Sequence, residues 1–320
     1  MVLKKTVIGS FPKLQIPIEE AIKKIIDLQL RNKIEIISDG EQRTDMINYF
    51  KDIPGFSPSP KGLSIGSKIT PPEDPSKTLK IRDFKYAQNY VRGLKIKDVF
   101  LKTAITGPIT LGLTCAISGL KHYSGFNDQM LYEDLSEALR PIISELLRQG
   151  SFVQLDEPGL SAGYMEPIKA LGILENLISQ VSNEKKHPDS LSIHVCGSLE
   201  RSTKILEGLF KITNLDVVSL GFSGPKEQRN IKLMSKSLFH NKARLGVGCV
   251  YNLAVNETEV DETQRILERI SEISSSIGKE NMGYAHPDCS LRNVTPTVAE
   301  IILERLSQAV DEYNMSSNIA

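Results

Sequence analysis

Eight times along this chain a short apolar run, often β-branched, is followed by a turn and then by a helical pattern. The runs are KTVIGSF, IEIISDGE, VFLKTAITGP, SFVQLDEP, LSIHVCG, LDVVSLGF, ARLGVGCV and MGYAHPDC. Most are continuously apolar and do not alternate, which suits strands buried on both faces. Amphipathic stretches such as PIEEAIKKIIDLQL, LYEDLSEALRPIISELLRQ and DETQRILERISEISSSI lie between them. Strands alternating with helices imply a parallel sheet with right-handed crossovers. Eight such units in 320 residues fit an α/β fold of the TIM (β/α)8 barrel type better than an open doubly wound sheet. The expectation is one barrel over residues 1–320.

One stretch breaks the rhythm. Residues 54–78, beginning PGFSPSPKGLSIGSKITPPEDPSK, hold six of the sixteen prolines and follow the second run. Such a segment cannot be a regular helix or a central strand. It is expected to be a long Pro/Gly/Ser-rich excursion or β-hairpin over the barrel top, with a lid as one use and a disordered linker as the other reading. The tail YNMSSNIA is expected to fray.

Composition narrows the partners. Lys+Arg and Asp+Glu are both 39, so the net charge is zero. Phosphate-backbone binding needs clustered Lys and Arg, and the short runs Lys4-Lys5 and Lys185-Lys186 are too small for that, so no nucleic-acid partner is expected. No apolar stretch reaches the ~18 residues of a membrane span. The start MVLKKTVIGSFPK lacks the apolar region of a signal peptide. A cytoplasmic location follows as the expectation, and with it reduced thiols. Cys115, Cys196, Cys249 and Cys289 are then free thiols or metal ligands.

In such a barrel the chemistry sits where strands end. The expected ends are Gly9-Ser10, Asp39-Gly40-Glu41, Thr106-Gly107-Pro108, Asp156-Glu157-Pro158, His194-Val195-Cys196, Gly221, Cys249 to Tyr251, and His286 to Cys289. Acids, histidines and cysteines thus converge on one rim. Residues i and i+2 of a strand face the same way, so His194 and Cys196 can face one ion, with Cys289 reaching it from the eighth strand. His, Cys and Cys form a zinc site with an open fourth position. The other reading of the same residues is a buried histidine and two core cysteines. His286 competes as a ligand, while Cys115 and Cys249 read as packing residues. Of Asp156 and Glu157 only one can point inward, and Asp156 fits better because Glu157 can close the turn before Pro158. Glu41 is the second candidate anion, and the two together suit an ammonium group. Capping and surface pairing are the alternative roles for both acids.

TVIGSFP, DGEQRTDMINYF, TGPITLG, VQLDEPGL, HVCGS and HPDCSLR follow one another along nearly the whole chain. Taken together they resemble the catalytic barrel of cobalamin-independent methionine synthase. Two-barrel members carry an additional N-terminal barrel, for which 320 residues leave no room. The chain therefore resembles the short core form of archaea and some bacteria. That resemblance implies methylcobalamin or a methylated corrinoid protein as methyl donor in place of a folate. It also implies Zn2+ on His194, Cys196 and Cys289, with Ser10 and nearby backbone on the carboxylate of homocysteine. Glu41 and Asp156 would hold the amino group, and no catalytic residue is implied beyond the zinc-activated substrate thiol.

Two positions depart from the family pattern. Gly221 stands where the family has a fourth ligand, a glutamate, and Ala254 stands where folate-using members have a histidine. A corrinoid leaving group needs no proton from such a histidine. Two other functions remain open on sequence. One is a zinc-dependent alkyltransferase for another thiol such as coenzyme M, against which Ser10, Glu41 and Asp156 argue. The other is a non-catalytic barrel that binds a corrinoid protein.

Overall fold

Continuously apolar strands need cover on both faces, and a closed parallel barrel inside a helix ring provides it. The computed structural model describes residues 2–200 and 203–317. Its strands are β1 (Lys4–Lys5), β2 (Ile36–Ser38), β3 (Phe56–Ser59), β4 (Gly62–Ile65), β5 (Phe100–Thr106), β6 (Phe152–Asp156), β7 (Leu191–Val195), β8 (Val217–Gly221), β9 (Arg244–Val250) and β10 (Met282–Pro287). Eight of them form one parallel sheet in the order β1-β10-β9-β8-β7-β6-β5-β2. A parallel bridge between Thr6 and Ile36 joins β1 to β2 and brings the sheet round on itself. All eight runs picked out in the sequence contribute a strand of this barrel.

The helices are α1 (Ile18–Arg31), α2 (Leu79–Leu94), α3 (Pro108–Ser118), α4 (Gln129–Arg148), α5 (Gly159–Ala162), α6 (Pro167–Val181), α7 (Thr203–Leu209), α8 (Glu227–Ile231), α9 (Thr263–Ile277) and α10 (Pro296–Ser317). Helix α1 shows how they are specified. Its apolar residues recur at helical spacing and bury Ala21, Ile22, Ile25, Ile26 and Leu28, with Glu19 and Glu20 in the first turn and Arg31 in the last. Buried Gln29 then ties the helix to β2, donating to the Ser38 carbonyl and accepting from the Ser38 amide, both at 2.8 Å. That tie holds the strand end from which Asp39, Gly40 and Glu41 project. The tail expected to fray continues α10 as helix through Ser317, while 318–320 lie outside the described residues.

Within residues 54–78, β3 and β4 pair as an antiparallel hairpin. Leu63, Ile65 and Ile69 are buried, and Ile65 bridges to Leu120 just past α3. None of the described helices is long and apolar enough to cross a membrane.

The barrel interior is layered. Ile36, Phe152, Val217 and Tyr284, from four different strands, form an apolar plug separate from the main core. Two residues further along these strands stand Ser38, Gln154, Ser219 and His286, all buried and polar. Lys102 of β5 joins this layer, donating to Gln154 Oε1 at 2.8 Å. Two residues further again come Gly40, Asp156, Gly221 and Asp288. The strand period of two therefore sorts the interior into a plug, a polar layer and a rim.

Candidate metal centre

The rim gathers three donors from two strand ends. His194 lies in β7, Cys196 follows that strand, and Cys289 follows β10. One ligand atom from each residue lies within 4.8 Å of the others. The His194 ring is buried, and its Nε2 has no hydrogen-bond partner among the described residues. A buried lone pair without a partner is costly unless something else occupies its direction. An imidazole nitrogen beside two thiol sulfurs is a donor set of the zinc type, so these residues fit the ion that the family resemblance implied.

The cysteines are electrostatically unequal. The Cys196 thiol is pushed down to about 4, first by the hydrogen bond it receives from Cys289, against burial, with His194 and Lys226 adding to the effect. Cys289 moves well above the usual thiol range because its proton is engaged by Cys196. Cys115 and Cys249 stay outside the cluster, and burial pushes each up to about 12. His286 also stays outside it, since both ring nitrogens are engaged, Nδ1 by the Pro287 carbonyl at 2.8 Å and Nε2 by Ser219 Oγ at 2.8 Å.

The space beside Gly221 is occupied. A Cβ built there would stand 2.8 Å from Asp288 Oδ2 and 3.1 Å from Lys226 Cε. Asp288 is fully buried. Its Oδ1 accepts from the amides of Phe222 and Ser223 at 2.8 and 3.0 Å, and its Oδ2 pairs with Lys226 Nζ at 2.9 Å. An ammonium–carboxylate pair therefore fills the position of the absent side chain.

Asp156 reaches the same rim. Its strand register sets it beside His194, and its Oδ1 accepts from Gln154 Nε2 at 2.7 Å. Burial pushes its carboxyl up to about 6, against the pull of His194. Glu157 points the other way, into the start of α3. It accepts from the Ile109 and Thr110 amides at 2.9 and 2.8 Å and from Thr110 Oγ1 at 2.6 Å.

Glu41 is carried on a left-handed turn, with φ of 74° at Gly40 and 51° at Glu41. The turn is pinned by Asp39 Oδ1, which accepts from the Glu41 amide at 3.0 Å, and by Arg292 Nη2, which donates to the Glu41 carbonyl at 2.6 Å. The Glu41 carboxylate is ion-paired with Lys80 of α2, whose ammonium lies 4.1 Å from the centre of the Tyr49 ring. Ser10 lines a cleft of about 470 Å3 with Thr44, Met46, Ser290 and Arg292. Lys80, Lys226, Ser219 and Arg292 were not singled out in the sequence. The first is a helix residue distant from every motif, and the others carry no spacing signal of their own.

A cavity of about 880 Å3 opens at the opposite end of the barrel, where Lys185 and Asp216 on its wall pair with each other at 2.7 Å.

Residues 3–312 match the family described as "Cobalamin-independent synthase, Catalytic domain". Methionine synthase of Methanothermobacter marburgensis is 29% identical over 309 residues, covering 96% of this chain and 92% of that protein. A plant relative, 5-methyltetrahydropteroyltriglutamate–homocysteine methyltransferase 1 of Arabidopsis thaliana, is 24% identical, covering 91% of this chain and 38% of that protein. The solved B12-independent methionine synthase of Shewanella sp. W3-18-1, in complex with selenomethionine, shares the fold with a TM-score of 0.75 at 16% identity, each chain covered fully.

Proposed function

We propose that this chain, which belongs to the cobalamin-independent synthase catalytic-domain family and is a methyltransferase of the methionine synthase type, methylates the thiol of homocysteine in a zinc-dependent reaction. The methyl donor in this reading is methylcobalamin or a methylated corrinoid protein, and the setting is the reducing cytoplasm. The observation that carries the proposal is the buried His194, whose Nε2 lacks a partner and whose ring brings a nitrogen within 4.8 Å of the sulfurs of Cys196 and Cys289.

His194, Cys196 and Cys289 would hold the ion. When bound, zinc supplies Lewis acidity that keeps a substrate thiol deprotonated and nucleophilic at neutral pH. Cys196 already favours the thiolate needed of a ligand, and Cys289 gives up its proton on loading. Asp156 and Glu41 receive the substrate ammonium, and Ser10 with its neighbouring backbone receives the carboxylate. Fixing both ends of the amino acid sets the sulfur in line with the incoming methyl group, and methyl displacement depends on such positioning. The barrel mouth is the approach left for the donor.

The test measures zinc content and methyl transfer to homocysteine from methylcobalamin and from a methyl-folate in parallel. Stoichiometric zinc and turnover with methylcobalamin are expected. Absence of zinc, or turnover with the folate alone, overturns the reading. Asp156→Asn is expected to raise the KM for homocysteine by roughly 10- to 100-fold, the value of a charged hydrogen bond.

A second reading, alkyl transfer to a thiol without an amino group such as coenzyme M, is favoured by the Lys80 contact, which already neutralises Glu41. Under that reading Asp156→Asn leaves the preferred thiol's KM unchanged.

A further inference from the structure

Drawn with both rings neutral, the hydrogen bonds behind His194 run in one direction, which begins at His286. His286 Nδ1 lies 2.8 Å from the Pro287 carbonyl oxygen. A carbonyl can only accept, so Nδ1 carries the proton. In a neutral imidazole Nε2 is then bare, and the Ser219 hydroxyl 2.8 Å away must donate to it. Serine has one hydroxyl proton. Its Oγ therefore accepts from the next partner, His194 Nδ1, at 3.0 Å. His194 is left protonated at Nδ1 and bare at Nε2, the ring nitrogen that is buried without a partner.

His286 is fully buried with no carboxylate among its described hydrogen-bond partners, and a buried charge without a counter-charge is costly.

The three residues meet because of what lies between them. Ser219 is on β8 and His286 on β10, with β9 interposed, and the β9 partners in register are Gly246 and Gly248. A Cβ at Gly246 would stand 3.2 Å from the Ser219 side chain and 3.0 Å from the Tyr284 ring. The bare backbone of β9 leaves the barrel interior open for Ser219 and His286 to touch across it.

We propose that Ser219 and His286 are positioning residues whose directed hydrogen bonds hold His194 as the Nδ1–H tautomer and present Nε2 as a metal donor. The inference rests on the metal reading above for its purpose, though not for its geometry. Neither residue belongs to the group of His194, Cys196 and Cys289 that would hold the ion.

The test has two arms. The first labels the histidines of the metal-free wild-type protein with 15N and reads their tautomers from long-range 1H–15N correlations, the five signals being assigned by substitution. His194 and His286 are both expected as Nδ1–H, and an Nε2–H signal for His194 overturns the proposal. The second measures zinc affinity by competition with a chromophoric chelator. Ser219→Ala is expected to weaken zinc binding by roughly 10- to 100-fold, the usual effect of removing an outer hydrogen bond to a ligand histidine. His286→Gln, which keeps an acceptor for the serine hydroxyl, is expected to lose less than His286→Ala. A folded Ser219→Ala protein that binds zinc within about twofold of wild type overturns the relay. If the variant does not fold, the wild-type tautomer decides alone. If the wild type binds no zinc, the metal reading fails, and the proposed donor role fails with it.

Discussion

Cys196→Ser is expected to leave the protein without stoichiometric zinc and to lower methyl transfer to homocysteine by about 10³-fold, several kcal/mol of lost activation. The size follows from the donor count. His194, Cys196 and Cys289 are the group of at least three metal-capable side chains that converge among the described residues. Removing one leaves two donors and a wide opening. Cys196 is also the member of the pair that already favours the thiolate, with its thiol pushed down to about 4. A serine hydroxyl does not ionise there and is a poor zinc ligand. Cys115→Ser is the control, since Cys115 is buried in the core and outside the cluster. It should keep its zinc and most of its rate. Metal analysis by mass spectrometry with circular dichroism on both variants checks this, and full zinc and full rate in folded Cys196→Ser protein would overturn the assignment.

Glu157→Ala is expected to cost about 2–4 kcal/mol of folding stability, the sum of a lost helix cap and buried donors left unpaired. Glu157 is fully buried and satisfies the amides of Ile109 and Thr110 at the start of α3, together with the Thr110 hydroxyl. No nearby side chain in that network can replace it, because Thr110 Oγ1 already accepts from the Gly159 amide at 2.9 Å. The urea midpoint reads the loss. Burial raises the Glu157 carboxyl from its ordinary 4.5 to about 7, against its three hydrogen bonds. The folded chain therefore binds a proton that the unfolded chain has released across that interval. Stability from this group is complete below pH 4.5 and falls as pH rises through about 7. Asp39 and Asp156, each pushed up to about 6, act in the same direction. Removing Glu157 should flatten only part of the slope between pH 4.5 and 7. An unchanged slope in Glu157→Ala would mean that Glu157 titrates as an ordinary carboxylate.

The barrel was legible because its signal is local. Each strand announces itself as a continuous apolar run, and parallel strands joined by helices have few ways to close. The same rule brought His194, Cys196 and Cys289 to one rim. It also separated Asp156 from Glu157 by strand alternation, and the two do face the rim and α3 respectively. Lys102, Gln154, Ser219 and His286 were harder to read. Each is a polar residue inside an otherwise apolar run, and its cost is offset by a partner on another strand that the run itself does not reveal. Lys80 is harder still. It lies in an amphipathic helix pattern where lysine is unremarkable, yet the structure buries it against Glu41.

The sequence by itself determined the strand–helix alternation, the inward period of two and the kinds of donor at each strand end, because these depend on neighbours along the chain. Only the tertiary structure decided the rest. The Lys226–Asp288 pair beside Gly221 and the Ser219–His286 contact across β9 depend on register and on the absence of side chains at Gly221 and Gly246, and the Lys80 contact to Glu41 depends on where α2 packs. These are distances between residues far apart in sequence, and they come into being only when the barrel closes.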